Sequence, residues 1–324
     1  MNRRIPALDG LRAVAIGLVL LQHSFSDQVN IVFSLGPIGV RLFFVLSGFL
    51  ITGILIDAKA QSAPRWTVWR TFMARRTLRI FPLAYVAMAV AWFLRFPAMR
   101  EHGVWYLLYL SNINVTIYGL TGGLAHFWSL AVEEQFYLVW PIFILFLPRR
   151  VWRTSIIMVM VLSAISRTIY ISHGGHFSAY VLLWCRADAL VLGAWMAISE
   201  KNIKTMLLIG IGLLGFASFY SEPLSSSLSE SGMVFLSGAL VLAVIRGAFH
   251  HILSTRPFTL LGGISYGVYV WGGIISPVAL YALGVETLGW ANLLISATTT
   301  IAISTISWHF VEKPMNGFKR HFTV

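Results

Sequence analysis

The chain has 324 residues, 57% of them hydrophobic and only 11% charged, with a net charge of +12 and a mean hydropathy of +0.77. A soluble domain carries about a quarter charged residues, so this composition excludes a water-soluble enzyme and predicts a polytopic membrane protein. The basic residues fall in short clusters between apolar stretches, not in one stripe, which excludes a nucleic-acid partner and fits the anchoring of cytoplasmic loops.

The chain opens MNRRIPALDGLRAVAIGLVLLQHSF, a basic start followed by an apolar run. It lacks an A-x-A-like cleavage site and carries His23 in the run, so it reads as a retained first transmembrane helix and not a signal peptide. About ten stretches can cross a hydrocarbon core of roughly 30 Å. They lie near residues 11–26, 36–57, 80–98, 127–147, 154–171, 179–198, 205–220, 232–249, 258–281 and 288–311. The segment VWYLLYLSNINVTIYG, from Val104, is apolar but interrupted by Asn112 and Asn114, and is predicted to be interfacial or re-entrant. Cys185, the sole cysteine, sits in an apolar run and is expected to be packing. No internal repeat, Pro- or Ser-rich linker or appended soluble domain is visible, so a single domain fills residues 1–324. The predicted fold class is all-α, a polytopic transmembrane helical bundle.

Loop charges set the expected orientation. With the N-terminus cytoplasmic, the cytoplasmic segments hold Arg3, Arg4 and Arg12; Lys59, Arg65, Arg70, Arg75, Arg76 and Arg79; and Arg149, Arg150 and Arg153. They continue with Lys201 and Lys204, Arg246 and Arg256, and Lys313, Lys319 and Arg320. That makes 19 of the 24 basic residues, against Arg95 and Arg100 outside. Both termini are therefore expected in the cytoplasm.

Ionisable residues inside spans are costly and are functional candidates by default. His23 follows Arg12 by eleven residues, so a helix lifts it about 16 Å from the cytoplasmic side and returns it to nearly the same face. Arg41, Arg167, Arg186 and Asp188 fall in the outer halves of their spans, and Glu133 and Glu134 lie about 9 to 11 Å below the outer surface. One polar cavity at that depth would satisfy all of them. Helix-gluing ion pairs are the competing explanation, strongest for Arg167 and Asp188. A neutral imidazole such as His23 suits general base chemistry near pH 7. On the cytoplasmic side, RRTLRIFP places Arg75 and Arg79 one helical turn apart beside Arg76, and arginine forks suit phosphate. Ordinary loop anchoring accounts for these arginines equally well.

Several stretches, taken in order, resemble the acyltransferase 3 family of bacterial membrane O-acyltransferases. They are ALDGLRAVAIGLVLLQH, GVRLFFVLSGFLITG, RRTLRIFP, HFWSLAVEEQFYLVWP, RADALVLGA, GGISYGVYVW and FVEKP, covering about residues 5 to 315. The resemblance implies about ten helices in the bacterial cytoplasmic membrane and a cytoplasmic acyl-CoA donor, acetyl-CoA first, as co-substrate with no resident cofactor or metal. It also implies O-acetylation of a hydroxyl on a cell-envelope glycan, a lipid-linked saccharide or a small molecule, with Arg12 and His23 central. Two departures stand out. Gly272 follows Trp271 where the family often has a histidine, and the C-terminal hydrolase-like domain of many relatives is not expected within these residues. Acceptor delivery then falls to the membrane domain or a partner.

The resulting scheme docks acyl-CoA phosphates near Arg75, Arg76 and Arg79, with Tyr266 as a further binding candidate, and brings the thioester up to His23. His23 either takes the proton of the acceptor hydroxyl or carries the acyl group transiently. Glu133 or Glu134 orients or charge-balances it, and Arg41, Ser47, Arg186 and Asp188 are the oxyanion or acceptor-side candidates. A glycan-precursor transporter or flippase is the rival class, since intramembrane charges serve it equally. The lack of a repeat between halves and the basic coenzyme mouth argue against it.

Overall fold

A computed structural model describes residues 5–25, 35–61, 63–119, 123–199, 202–285 and 288–323. Arg3, Arg4 and Lys201 lie outside the described residues. Helices stand at all ten predicted stretches. In chain order they are α1 (Pro6–Ser24), α2 (Leu35–Lys59), α3 (Arg65–Phe93), α4 (Pro97–Leu107), α5 (Ser111–Tyr118), α6 (Phe127–Phe146) and α7 (Arg149–Ser172). There follow α8 (His176–Val181), α9 (Leu183–Ile198), α10 (Ile203–Ala217), α11 (Leu224–Ile245), α12 (His250–Leu253), α13 (Arg256–Ala282) and α14 (Trp290–Ser307). A π turn (Trp308–Glu312), α15 (Lys313–Gly317) and a 3-10 turn (Phe318–His321) complete the chain. Among the described residues eight helical segments are long and apolar enough to cross a membrane, with α8 and α9 counted as one. The 19-residue α1 and the 15-residue α10 lie in the same bundle. The protein is an all-α, multi-pass membrane protein.

Local chemistry explains the boundaries. Prolines open α1, α4 and α13, where a missing N–H costs nothing. Asn202 caps α10 by accepting from the Thr205 N–H at 3.3 Å. Pro82, Pro141 and Pro277 lie inside helices, tolerated where neighbouring helices re-satisfy the backbone.

The third span begins earlier than the apolar run predicts. Hydropathy points to residue 80, yet α3 starts at Arg65, so RRTLRIFP lies within the helix, in keeping with the one-turn spacing of Arg75 and Arg79. Arginine side chains extend along the helix to polar surroundings, so the helix continues past its lipid-facing part. The Asn-interrupted segment forms two short helices, α4 and α5, as expected for a stretch that does not cross. Asn112 is fully buried because it exchanges hydrogen bonds with Gln135 of α6 at 2.8 and 3.1 Å.

The centre of the bundle is α2, α6 and the α8–α9 unit, whose apolar windows are 61–67% buried. Gly48 of α2 and Gly193 of α9 let two main chains touch. A Cβ on Gly48 would lie 1.8 Å from the Leu190 carbonyl oxygen, and one on Gly193 would lie 2.1 Å from that of Val45. Small residues at such crossings replace the hydrophobic drive that lipid removes. α1 is seated similarly on α13, where a Gly262 Cβ would meet the Asp9 carbonyl oxygen at 1.8 Å. α7 and the C-terminal span lie at the periphery, each only 22% buried.

Candidate active site

Three cavities follow one another along the bundle. The first, about 460 Å³, is lined by Asp57 near the C-terminal end of α2, by Arg75, Arg76 and Arg79 of α3, and by Lys319 and Thr323 of the C-terminal segment. The second, about 250 Å³, shares Ile54, Arg76 and Arg79 with the first and adds Arg12, Ser47, Ser129, Glu133, Tyr137, Tyr266 and Tyr269. The third, about 300 Å³, lies at the opposite end and is lined by His23, His126, Ser276, Asn292 and Ser296, with Tyr269 common to it and the second. They are called the arginine, middle and histidine cavities below.

Helical spacing builds this sequence. Arg12 and His23 share a face of α1, and their eleven-residue separation puts one in the middle cavity and the other in the histidine cavity. Arg12 is held by Asp9, one turn earlier, at 2.7 Å. The His23 Nδ1 lies 2.7 Å from the Val19 carbonyl oxygen. A carbonyl only accepts, so Nδ1 is the donor, and in the neutral ring Nε2 is the nitrogen with the lone pair.

The middle cavity contains a compact polar cluster. Ser47 donates to Glu133 at 2.7 Å, and the Tyr137 hydroxyl is 3.1 Å from the second Glu133 oxygen and 3.2 Å from Ser47. Both Glu133 oxygens are thus engaged. Glu134, about 100° further round α6, does not line this cavity, and its Oε1 has no hydrogen-bond partner among the described residues. Tyr266 lines the middle cavity, not the arginine cavity, and its hydroxyl donates to the Ile80 carbonyl at 2.7 Å.

The single polar cavity expected from depth matching is not what forms. Neither Glu133 nor Glu134 lines the histidine cavity, so His23 is not paired with either, and Tyr269 stands between. Arg41, Arg186 and Asp188 line none of the three cavities. Glu230 of α11 accepts from Arg41 Nε at 3.1 Å and from Arg186 Nη1 at 2.6 Å, and is also contacted by Arg41 Nη2. Asp188 accepts from Arg167 at 2.6 Å, and Arg167 also reaches the Cys185 carbonyl at 2.7 Å and Ser231 at 2.6 Å. Three arginines thus share two carboxylates, and these contacts tie α2, α7, α9 and α11 together away from the cavities.

Glu230, Lys319, Ser129, His126, Tyr137 and Tyr269 were not singled out by sequence. Glu230 fell just outside a span drawn from residue 232, although two buried arginines called for an acid. Lys319 reaches the arginine cavity because the chain folds back after α15, with Arg75 Nη1 3.4 Å from the Phe322 carbonyl. Among the described residues no three His, Cys, Asp or Glu side chains gather closely enough to hold a metal.

Comparison with known proteins matches residues 5–309 to a family model described as an acyltransferase domain, that of the acyltransferase 3 family. The YrhL protein of Bacillus subtilis is 29% identical over 365 residues, covering 98% of this chain and 56% of that protein. The peptidoglycan O-acetyltransferase OatA of Listeria monocytogenes is 29% identical over 99% of this chain and 57% of its own length. The O-acetyltransferase OatA of Staphylococcus aureus is 28% identical over 98% and 58%. The chain thus spans somewhat over half the length of these relatives. No solved structure matches it.

Proposed function

From the premise that this chain belongs to the acyltransferase 3 family, we propose that it is an O-acetyltransferase of the bacterial cytoplasmic membrane. It takes acetyl from cytoplasmic acetyl-CoA and passes it to a hydroxyl of an extracytoplasmic cell-envelope glycan, peptidoglycan being the acceptor its relatives' names favour. The observation that carries this reading is the file of three cavities with shared walls, from an arginine-lined mouth to a histidine chamber at the other end. The orientation rests on the basic loops at the arginine end.

In this reading Arg75, Arg76, Arg79 and Lys319 meet the coenzyme phosphates. Four cations against the single carboxylate of Asp57 leave that mouth strongly positive. The pantetheine arm enters the middle cavity past Arg76 and Arg79 and runs by Ser47 and Glu133, so that the thioester comes to lie at the Tyr269 junction, next to the histidine cavity. His23, with Nε2 unprotonated, takes the proton of the acceptor hydroxyl as its oxygen attacks the acyl carbon. The C–S bond breaks, and the proton ends on the departing thiolate.

The decisive test is thiol release from acetyl-CoA by purified protein in vesicles, run with envelope glycan on the histidine side and read by mass spectrometry for the acetyl increment. A protein that moves glycan without releasing thiol would be a transporter, and the reading would be wrong. A second expectation concerns the tail. Lys319→Ala should raise the KM for acetyl-CoA about tenfold, the worth of one charge-assisted contact of about 1.5 kcal/mol, with kcat retained. An unchanged KM would remove Lys319 from the donor site.

A further inference from the structure

The middle and histidine cavities meet at one side chain. Tyr269 of α13 lines both, with Arg12, Ser47 and Glu133 on one side of it and His23 on the other. Its hydroxyl donates to the His126 backbone carbonyl, and Ser129 Oγ stands 2.7 Å away. The phenol proton is committed to the carbonyl, so Ser129 is the donor in the second bond. Both ends of the clamp belong to the entry of α6, where the His126 ring meets the Tyr269 ring edge-on at 5.3 Å. The His126 ring in turn lies 3.2 Å, through Nε2, from the carbonyl of Val270, next to Tyr269 in the chain. Gly273 makes this closeness possible, since a Cβ there would lie 2.3 Å from the His126 ring.

We infer that Tyr269 is a positioning residue that partitions the donor chamber from the acceptor chamber, and thereby directs acetyl to a glycan hydroxyl and not to water. The inference rests on the donor-and-acceptor reading given above. A thioester in the middle cavity is open to attack by any water arriving from the histidine side. In that side reaction the water oxygen adds to the acyl carbon, the C–S bond breaks and one water proton passes to sulfur, giving acetic acid and the coenzyme thiol. A ring across the junction denies water that approach, and the acceptor must displace it. Ordinary packing would fill the same space, but a packing role does not change which nucleophile receives the acyl group.

The test uses the full chain in vesicles with acetyl-CoA on the arginine side, reading free acetate and acetylated glycan together. Tyr269→Ala is expected to raise the ratio of acetate to ester roughly tenfold, about 1.4 kcal/mol in relative barrier. Tyr269→Phe, which keeps the ring, should leave the ratio near that of the parent. An independent readout places a cysteine at Ile51, in the middle cavity, in a Cys185→Ser background. A small charged thiol reagent added only on the histidine side should label it when Tyr269 is alanine, and not when tyrosine or phenylalanine is present. If Tyr269→Ala fails to insert, Tyr269→Leu takes both measurements. A parent protein that acetylates glycan, with an unchanged ratio and unchanged labelling in the truncated variants, overturns the partition. A parent that releases no thiol overturns the donor reading instead, and the labelling still judges the partition.

Discussion

His23→Ala is expected to lower acetyl transfer about a hundred- to ten-thousand-fold, the usual worth of a positioned general base. The geometry behind this is specific. The Val19 carbonyl accepts from Nδ1 across 2.7 Å, which in the neutral ring leaves Nε2 as the basic nitrogen of a side chain that lines the histidine cavity. Acetyl-CoA affinity should be nearly unchanged, because the arginine cavity lies at the other end of the bundle. His23→Gln, polar but not basic at this pH, should be as slow as alanine. Rates of glycan acetylation by inserted, folded protein are the measurement, and full-rate transfer by either variant would remove His23 from the chemistry. His126 lines the same chamber, with its Nε2 3.2 Å from the Val270 carbonyl, so His126→Ala is the control that separates the two rings.

Asp188→Ala should destabilise the fold by about 3–5 kcal/mol, the cost of stranding a buried charge by deleting its partner. Arg167 is 1% exposed and its Nη1 sits 2.6 Å from Asp188, so without the carboxylate its guanidinium stays among helices with no counter-charge of its own. Neighbouring Glu230 is already shared between Arg41 and Arg186. The double replacement Arg167→Met with Asp188→Leu should recover much of the loss, because the pair trades a large desolvation cost for its attraction. Thermal unfolding in detergent measures both variants. Equal melting temperatures for Asp188→Ala and the parent would show that Arg167 finds another partner.

Much of the fold could be read from apolar periodicity, because lipid imposes one rule on every span. The ten helical stretches, the non-crossing Asn112 segment and the Arg12-to-His23 spacing all follow from it. The site was less legible, and the reasons are particular. Depth along a helix places His23 and Glu133 at similar levels, but depth does not say which cavity a side chain faces. Adjacent residues on a helix point about 100° apart, and that alone separates Glu133, in the middle cavity, from Glu134, outside it. Within GGISYGVYVW nothing local sets Tyr269 apart, since its hydroxyl partners come from the α6 entry some 140 residues earlier in the chain. Lys319 looked like loop anchoring until the fold of the tail brought it to the arginines.

The contact between Gly48 and Gly193 has a further consequence. With their main chains touching, α2 and α9 behave as a single post, and little sliding between them is available without breaking backbone contact. The less enclosed spans are α3, α7, α13 and α14 with the following turn, whose windows are only 22–39% buried, so movement within the bundle is easier there. Bilayer thickness and lateral pressure therefore become control variables for turnover. In vesicles of graded acyl length the rate should vary while coenzyme affinity holds, a solvent dependence that no water-soluble transferase experiences.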